Sequence, residues 1–353
     1  MVLEKGNYLM QMDELLDIQT ELEKIMVDRL QSDEKISDEL RSQLLTDYFS
    51  AKNYFKRNIY GEIKAVEKDL TDHSERHIRN VQDNAARLIG DEGKNKYSGA
   101  ELYFLALSIL FHDVGIINGR KGHNKKVTEI YNKIRNNESH FNQERRLILK
   151  AVAAHCGESS KSDKDTLNEL EEKSDLYGHA LRLRELAAVL RFADELAEGP
   201  QRTSDYMIEN HSFSDGSLIY HEYAQITRPF IDRGGSRIAV SYDIDCNQCK
   251  DLKKLLVFTY RRVLKLDLER RYCKYYAPIL DVFKRTDVSY EFNYDGNPME
   301  LGLDKISLED KYTYMDVNDN EINKFLERFP KYAVDNILEQ INKNEDERND
   351  KSV

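Results

Sequence analysis

Residues 105–115 read LALSILFHDVG: an apolar run over 105–111, then an imidazole, a carboxylate and, two residues on, a glycine. With Ala100–Phe104 in front of it, the run predicts an apolar helix from about Ala100 to Asp113, stopped at Gly115. Such a helix is a core element. His112 and Asp113 at its end are therefore expected next to apolar surroundings. A carboxylate there costs desolvation free energy unless it is paired or coordinates a metal.

The flanking sequence is also helical in pattern. Leu9, Met12, Leu15, Leu16, Ile18, Leu22 and Ile25 recur near a 3.6-residue period, which predicts helix over 8–46. Thr71 and Asp72 are capping residues for a helix to about Leu88, with Ile78, Val81, Ala85 and Leu88 on one face. A loop is expected over 89–98. Helices are expected over about 124–136, 143–155 and 175–198, with Gly199-Pro200 as the stop. After about Thr203 the composition shifts. Segments 217–227, 236–245, 287–294 and 311–317 have strand composition, and 250–284 and 320–344 read as helix. The fold class expected is mainly α: N-terminal helices (1–60), a helical-bundle core (61–204) and a smaller α+β C-terminal region (205–353).

Other metal-ligand side chains fall on the same expected helices and loops. Asp194 follows Leu183, Ala187 and Leu190 on an apolar stripe, His155 follows Ile148 and Val152, and His77 shares a face with Val81. His123 sits in the basic loop 117–124, INGRKGHN. Ligands from several helices converge on one metal in helix-bundle sites. His73, one helical turn before His77, is read as a supporting or surface residue. His140, His179, His211 and His221 belong to no constellation. Cys246 and Cys249 form a single CxxC with no second pair to complete a zinc site, and read as two unrelated thiols.

The order His77, His112-Asp113, Asp194, with His123 and His155 between, resembles the HD-domain metal-dependent phosphohydrolases. The details that carry the resemblance are His77 four before Val81, the doublet running into Gly115, and Leu190-Arg191-Phe192-Ala193-Asp194. It covers about 70–204. It implies an HD-type helical core in which His77, His112, Asp113 and Asp194 hold one ion. Asp113, the catalytic residue, then bridges to a second ion on His123 and His155. One or two divalent transition-metal ions are implied; mixed imidazole and carboxylate ligands suit manganese or iron, with zinc and nickel also compatible. Two such ions activate water for hydrolysis of a phosphoester or phosphoanhydride. Arg120 and Lys121, beside His123, are placed to neutralise substrate phosphate, with Arg191 or Arg202 as helpers. Two subfamily marks are missing. Ile116 stands where cyclic-dinucleotide hydrolases carry lysine, and Val114-Gly115-Ile116-Ile117 replaces the acidic pair of guanosine-tetraphosphate hydrolases. The downstream α+β region is similar in kind to less characterised HD proteins of bacterial conflict systems.

Composition narrows the substrate. The 353 residues carry a net charge of −11, with 53 Lys and Arg against 64 Asp and Glu. An acidic chain repels an extended polyanion. The partner expected is a small phosphorylated compound of nucleotide type, with polynucleotide and membrane disfavoured and a homo-oligomer left open. Four cysteines suggest reduced thiols in a cytoplasm, and no secretion signal or membrane span is read from the apolar runs. Two alternatives stand beside the hydrolase: a nuclease on single strands, and an inactive HD scaffold or binding protein.

Overall fold

The computed structural model describes residues 17–119, 123–136, 138–155, 165–210, 212–247, 249–310 and 317–351. They divide into two units. The first runs to Asp194 and includes Tyr276–Leu280; the second comprises Glu195–Tyr275 and the residues from Asp281 onward.

The first unit is built from α1 (Glu21–Ser32), α2 (Asp38–Asn58), α3 (Tyr60–Val66), α4 (Glu75–Lys96), α5 (Gly99–Phe111), α6 (His123–Ile134), α7 (Asn142–His155) and α8 (Leu183–Glu195). The apolar run lies in α5, and every residue of this helix is buried. The helix starts where Ser98 and Glu101 form a capping box: the Ser98 hydroxyl accepts from Glu101 N at 3.2 Å, and the Glu101 carboxylate accepts from Ser98 N at 3.0 Å. Gly99 is required here, because a Cβ would stand 2.9–3.0 Å from Leu30 and Ile36 atoms. That absence lets α1 press against the start of α5; α2, α4 and α7 also pack on α5.

Together with the 3₁₀ turn Val114–Asn118, α5 forms a 20-residue stretch, long and apolar enough by composition to cross a membrane. Since 94% of its most apolar window is buried inside the protein, it packs as a core helix.

Three local expectations change. The helix expected over 8–46 is two among the described residues, because Ser37 caps a new start and its hydroxyl accepts from Leu40 N. The loop expected at 89–98 is instead a continuation of α4 to Lys96, past a kink at Gly90 (φ 56°, ψ −164°), a conformation open essentially to glycine. The helix expected over 175–198 opens with a hairpin, β1 (Ser174–Leu176) and β2 (His179–Leu181), turning on Tyr177 (φ 52°) and Gly178 (φ 84°).

In the second unit, residues 215–226 form α10 (Asp215–Ile226), preceded by α9 (Asp205–Glu209). Strand-type composition misled here. Leu218, Ile219, His221, Glu222, Tyr223, Ala224 and Ile226 are buried, and Leu218, Ile219, Glu222, Tyr223 and Ile226 among them recur at helical spacing. The sheet comprises β3 (Thr227–Asp232), β4 (Arg237–Asp245), β5 (Arg285–Tyr294), β6 (Asn297–Met299) and β7 (Ile306–Glu309). β3 and β4 are antiparallel. β4 and β5 are parallel and joined through α11 (Leu252–Tyr276), the crossover that parallel pairing requires. β6 and β7 pair antiparallel with opposite ends of β5. Tyr242, Tyr260, Tyr290 and Tyr332 are buried here and pack ring against ring, so the tyrosine-rich segment around β5 serves packing. Helices α12 (Asp319–Arg328) and α13 (Val334–Lys351) close the chain. Most of the strand expected at 311–317 lies outside the described residues.

Candidate metal centre

Four helices of the first unit bring the ligand-type side chains together. His77 is the third residue of α4, whose cap is Ser74. His112 and Asp113 leave the end of α5, and Asp113 breaks the helix (φ −112°, ψ 0°) before the 3₁₀ turn. Asp194 is near the end of α8, which Asn84 of α4 ties down by donating to the Ala193 carbonyl at 3.2 Å. His155 ends α7.

His77, His112, Asp113 and Asp194 offer ligand atoms that all lie within 4.8 Å of one another. His77 Nε2 is 3.2 Å from Asp194 Oδ1 and 3.6 Å from Asp113 Oδ2. His112 Nε2 is 3.1 Å from Asp113 Oδ2 and 3.6 Å from Asp194 Oδ1. Ligand atoms about 2.1 Å from a common tetrahedral or octahedral ion stand about 3.0–3.4 Å apart; two of these four distances fall in that range and two are slightly longer.

The hydrogen bonding makes the same point. His112 Nδ1–H donates to the Ile109 carbonyl at 2.8 Å, leaving Nε2 to face the carboxylates. Yet His112 Nε2 and both ring nitrogens of His77 are buried without an aligned hydrogen-bond partner. Orphaned buried nitrogens are costly. Here they converge with two carboxylates on a common point, so the residues fit a divalent ion, which these four side chains could hold.

Charge coupling is strong in the ion-free arrangement. Burial alone pulls the His112 imidazole down, but the Asp113 carboxylate, seconded by Asp194, outweighs it and pushes His112 up to about 10. Burial alone raises both carboxyls; His112 and the neighbouring imidazoles hold Asp113 and Asp194 well below the usual carboxylate range instead.

His155 approaches Asp113 from the other side, with Nε2 3.7 Å from Oδ1. Its Nδ1 is engaged by the Val152 carbonyl, the same arrangement as in His112. The backbone of His123 opens α6, but its side chain lies outside the described residues, as do Arg120 and Lys121. Arg191 is committed elsewhere: it donates to Thr166 Oγ1 at 2.9 Å and to the Ala154 carbonyl, tying α8 to the end of α7. Arg202 pairs with Glu198 at 3.2 Å. Cys246, Cys249 and Cys273 are not in disulfides. His221 is buried, stacked on Phe213, with Nδ1 2.9 Å from Thr203 Oγ1.

His73 lies outside the quartet, in keeping with the supporting role read for it. It does not lie on the helix with His77; it precedes the Ser74 cap, and its Nε2 reaches 4.0 Å from Asp113 Oδ2. The four-residue spacing to His77 was the available signal.

A model of the HD-CE family matches residues 67–272, a segment that contains each of these histidines and aspartates. Searches of the curated proteins and of the solved structures give no match. The family match covers more than half of the 353 residues and is consistent with an HD-type domain: the chain belongs to the HD-CE family.

Proposed function

We propose that the protein is a metal-dependent phosphohydrolase acting on a phosphoester or phosphoanhydride bond of a small nucleotide-type substrate. The observation that carries this reading is the buried ring nitrogens of His77 and Nε2 of His112, which lack an aligned hydrogen bond and converge with Asp113 and Asp194. Membership of an HD-type family supports it.

His77, His112, Asp113 and Asp194 would hold one ion. Asp113 turns Oδ2 toward His77 and His112 and Oδ1 toward His155, so it would serve a second ion as well, one that His155 and His123 would hold. Manganese or iron suits this donor set best, and zinc or nickel is compatible. When bound, divalent ions of this kind acidify water and clamp phosphoryl oxygens for in-line attack. The chain's own residues do the rest. Nδ1–H bonds to backbone carbonyls orient His112 and His155, and burial of His77, His112 and Asp113 limits the access of bulk water on their side. Arg120 and Lys121 would neutralise substrate charge beside His123.

The preference for a small substrate rests on the net charge of −11, which repels a long polyanion while a local pair of cations meets a few phosphates. The test is a manganese-supplemented assay of mononucleotides and cyclic nucleotides beside single-stranded DNA and RNA. Faster turnover of the small compounds is expected. Faster cleavage of the polynucleotides would replace this reading with the nuclease, and metal binding without any turnover would replace it with the scaffold.

A further inference from the structure

Spacing alone leaves Cys246 and Cys249 as two unrelated thiols, and the metal centre makes no use of them. The structure gives the pair a setting. β4 ends at Asp245, α11 starts at Leu252, and β5 runs parallel to β4. The two cysteines therefore occupy the strand-to-helix connection of a βαβ unit, a position in which a Cys-x-x-Cys pair reads as a redox motif.

Three hydrogen bonds shape this connection. Cys246 N donates to the Asn293 carbonyl of β5 at 2.9 Å, which prolongs the β4–β5 ladder by one bond. Lys250 N, just past Cys249, donates to Glu222 Oε1 of α10 at 3.1 Å. Between them the Cys249 thiol turns back and donates to the Asp245 carbonyl at 3.3 Å. That oxygen belongs to the peptide joining Asp245 to Cys246, and in a trans peptide it stands about 2.8 Å from the next Cα. Cys249 Sγ is therefore within about 6 Å of the Cys246 Cα. In a disulfide the corresponding separation is about 4 Å, so side-chain rotation and a small shift of the connection bring the two sulfurs into bonding distance.

The pair is also reachable. Both side chains are partly exposed, whereas Cys273 of α11 is fully buried. Cys249 lines a cavity of about 320 Å³ with Glu222, Asp243, Asp245 and Asn293. Burial, reinforced by the Glu222 carboxylate, pushes the Cys249 thiol up to about 12, which keeps it protonated at neutral pH. Since the thiolate is the nucleophile, Cys249 is suited to close an exchange rather than to open it.

We propose that Cys246 and Cys249 form a redox site, a dithiol that a small disulfide compound converts reversibly to an internal disulfide, with Cys246 attacking first. The proposal does not rest on the phosphohydrolase reading. The Cys246 thiolate attacks one sulfur of the compound, forms a mixed disulfide and releases the other half as a thiol. Cys249 Sγ then gives up its proton, attacks the Cys246 sulfur and expels the second half. Two electrons pass from the pair to the compound, and the two protons leave on the two released thiols. Closing the disulfide removes the hydrogen bond between Cys249 and Asp245, at the point where β4 passes toward α11.

The test exposes the folded full chain to glutathione disulfide at millimolar concentration. Remaining thiols are blocked in denaturant, and tryptic peptides are mapped by mass spectrometry. The peptide of residues 238–250 carries both cysteines. In wild type it should be lighter by two hydrogens, carry no glutathione, and regain both thiols on treatment with dithiothreitol. Cys249→Ser should stop at the mixed disulfide, with glutathione retained on Cys246. Both thiols still free in wild type, or glutathione on each without an internal bond, overturns the proposal. So does a folded Cys249→Ser variant that retains no glutathione on Cys246. If that variant fails to fold, the wild-type map decides alone.

Discussion

His112 Nε2 lies 3.1 Å from Asp113 Oδ2 without the alignment of a hydrogen bond, while His112 Nδ1–H is fixed on Ile109. In the ion-free protein the charge around His112 outweighs burial and raises its pKa to about 10, so Nε2 carries a proton at neutral pH. A metal ion must displace that proton. Calorimetric titration with manganese near pH 7, in buffers of different ionisation enthalpy, should report release of about one proton per bound ion. Heats independent of the buffer would contradict the assignment of Nε2 as a ligand.

The same coupling sets how stability without metal depends on pH. The folded-state pKa of His112 is raised, so its contribution is full below the unfolded value of about 6.5 and is lost as pH rises through about 10. Asp113 and Asp194 have depressed folded-state values, so theirs is present above the unfolded value of about 4 and fades as pH falls through the folded ones. For this cluster, chelator-treated protein should be most stable between about pH 4 and 6.5 and should melt progressively lower toward pH 10. Thermal melts across that range check it; a melting temperature still rising from pH 7 to pH 10 would refute it.

Asp113→Ala removes the carboxylate that both sides of the centre share. Turnover should fall by more than about a hundredfold, since losing a residue that merely supports a ligand already costs about 10- to 100-fold. The variant should stay folded, because the buried carboxylate it deletes faces the imidazoles of the centre. Circular dichroism alongside steady-state assays tests both statements, and a folded variant with full activity would refute the site.

His155→Ala should separate the two ions. His155 faces Asp113 Oδ1 and stands outside the quartet, so its loss should lower metal content from about two ions per chain toward one. Elemental analysis reads this directly. An unchanged stoichiometry and rate would make the centre mononuclear and His155 structural.

Much of this centre was legible before any coordinates. Apolar spacing already put His77, His155 and Asp194 on core-facing stripes, and the run over 105–111 placed His112 and Asp113 at a buried helix end. Elements whose local and global preferences diverge were harder to read. Strand-like residues in 217–226 fold as helix because their buried side repeats at helical spacing. The Tyr177-Gly178 turn was hidden because a tyrosine at positive φ is unusual; the Tyr177 hydroxyl, donating to buried Glu144 at 3.0 Å, holds it there. His73 was placed on the helix of His77 by its four-residue spacing, whereas the helix starts only after the Ser74 cap.

Glu144 shows what that turn is anchored to. Its side chain is fully buried and accepts from Tyr103 at 2.6 Å, Tyr131 at 2.5 Å, Tyr177 at 3.0 Å and Arg135 at 3.1 Å, joining α5, α6, α7 and the hairpin. Glu144→Ala removes the carboxylate shared by three hydroxyls and the buried Arg135 guanidinium, which keeps Asp47 and Tyr103, and should cost about 3–5 kcal/mol in urea unfolding. Lys150→Ala, which removes an exposed partner of Glu171, should cost under about 1 kcal/mol. Equal effects would show that the buried network does not hold α7, the helix that presents His155.

The central claim is that this chain hydrolyses phosphate bonds with a metal held by His77, His112, Asp113 and Asp194. The most direct measurement is phosphate release from a nucleotide panel by protein stripped with chelator, then restored with manganese, with the His77→Ala variant alongside. The account predicts no release from the stripped protein, release on adding manganese, and none from His77→Ala at any manganese concentration that restores wild type. Equal release with and without metal, or undiminished release from His77→Ala, would contradict it.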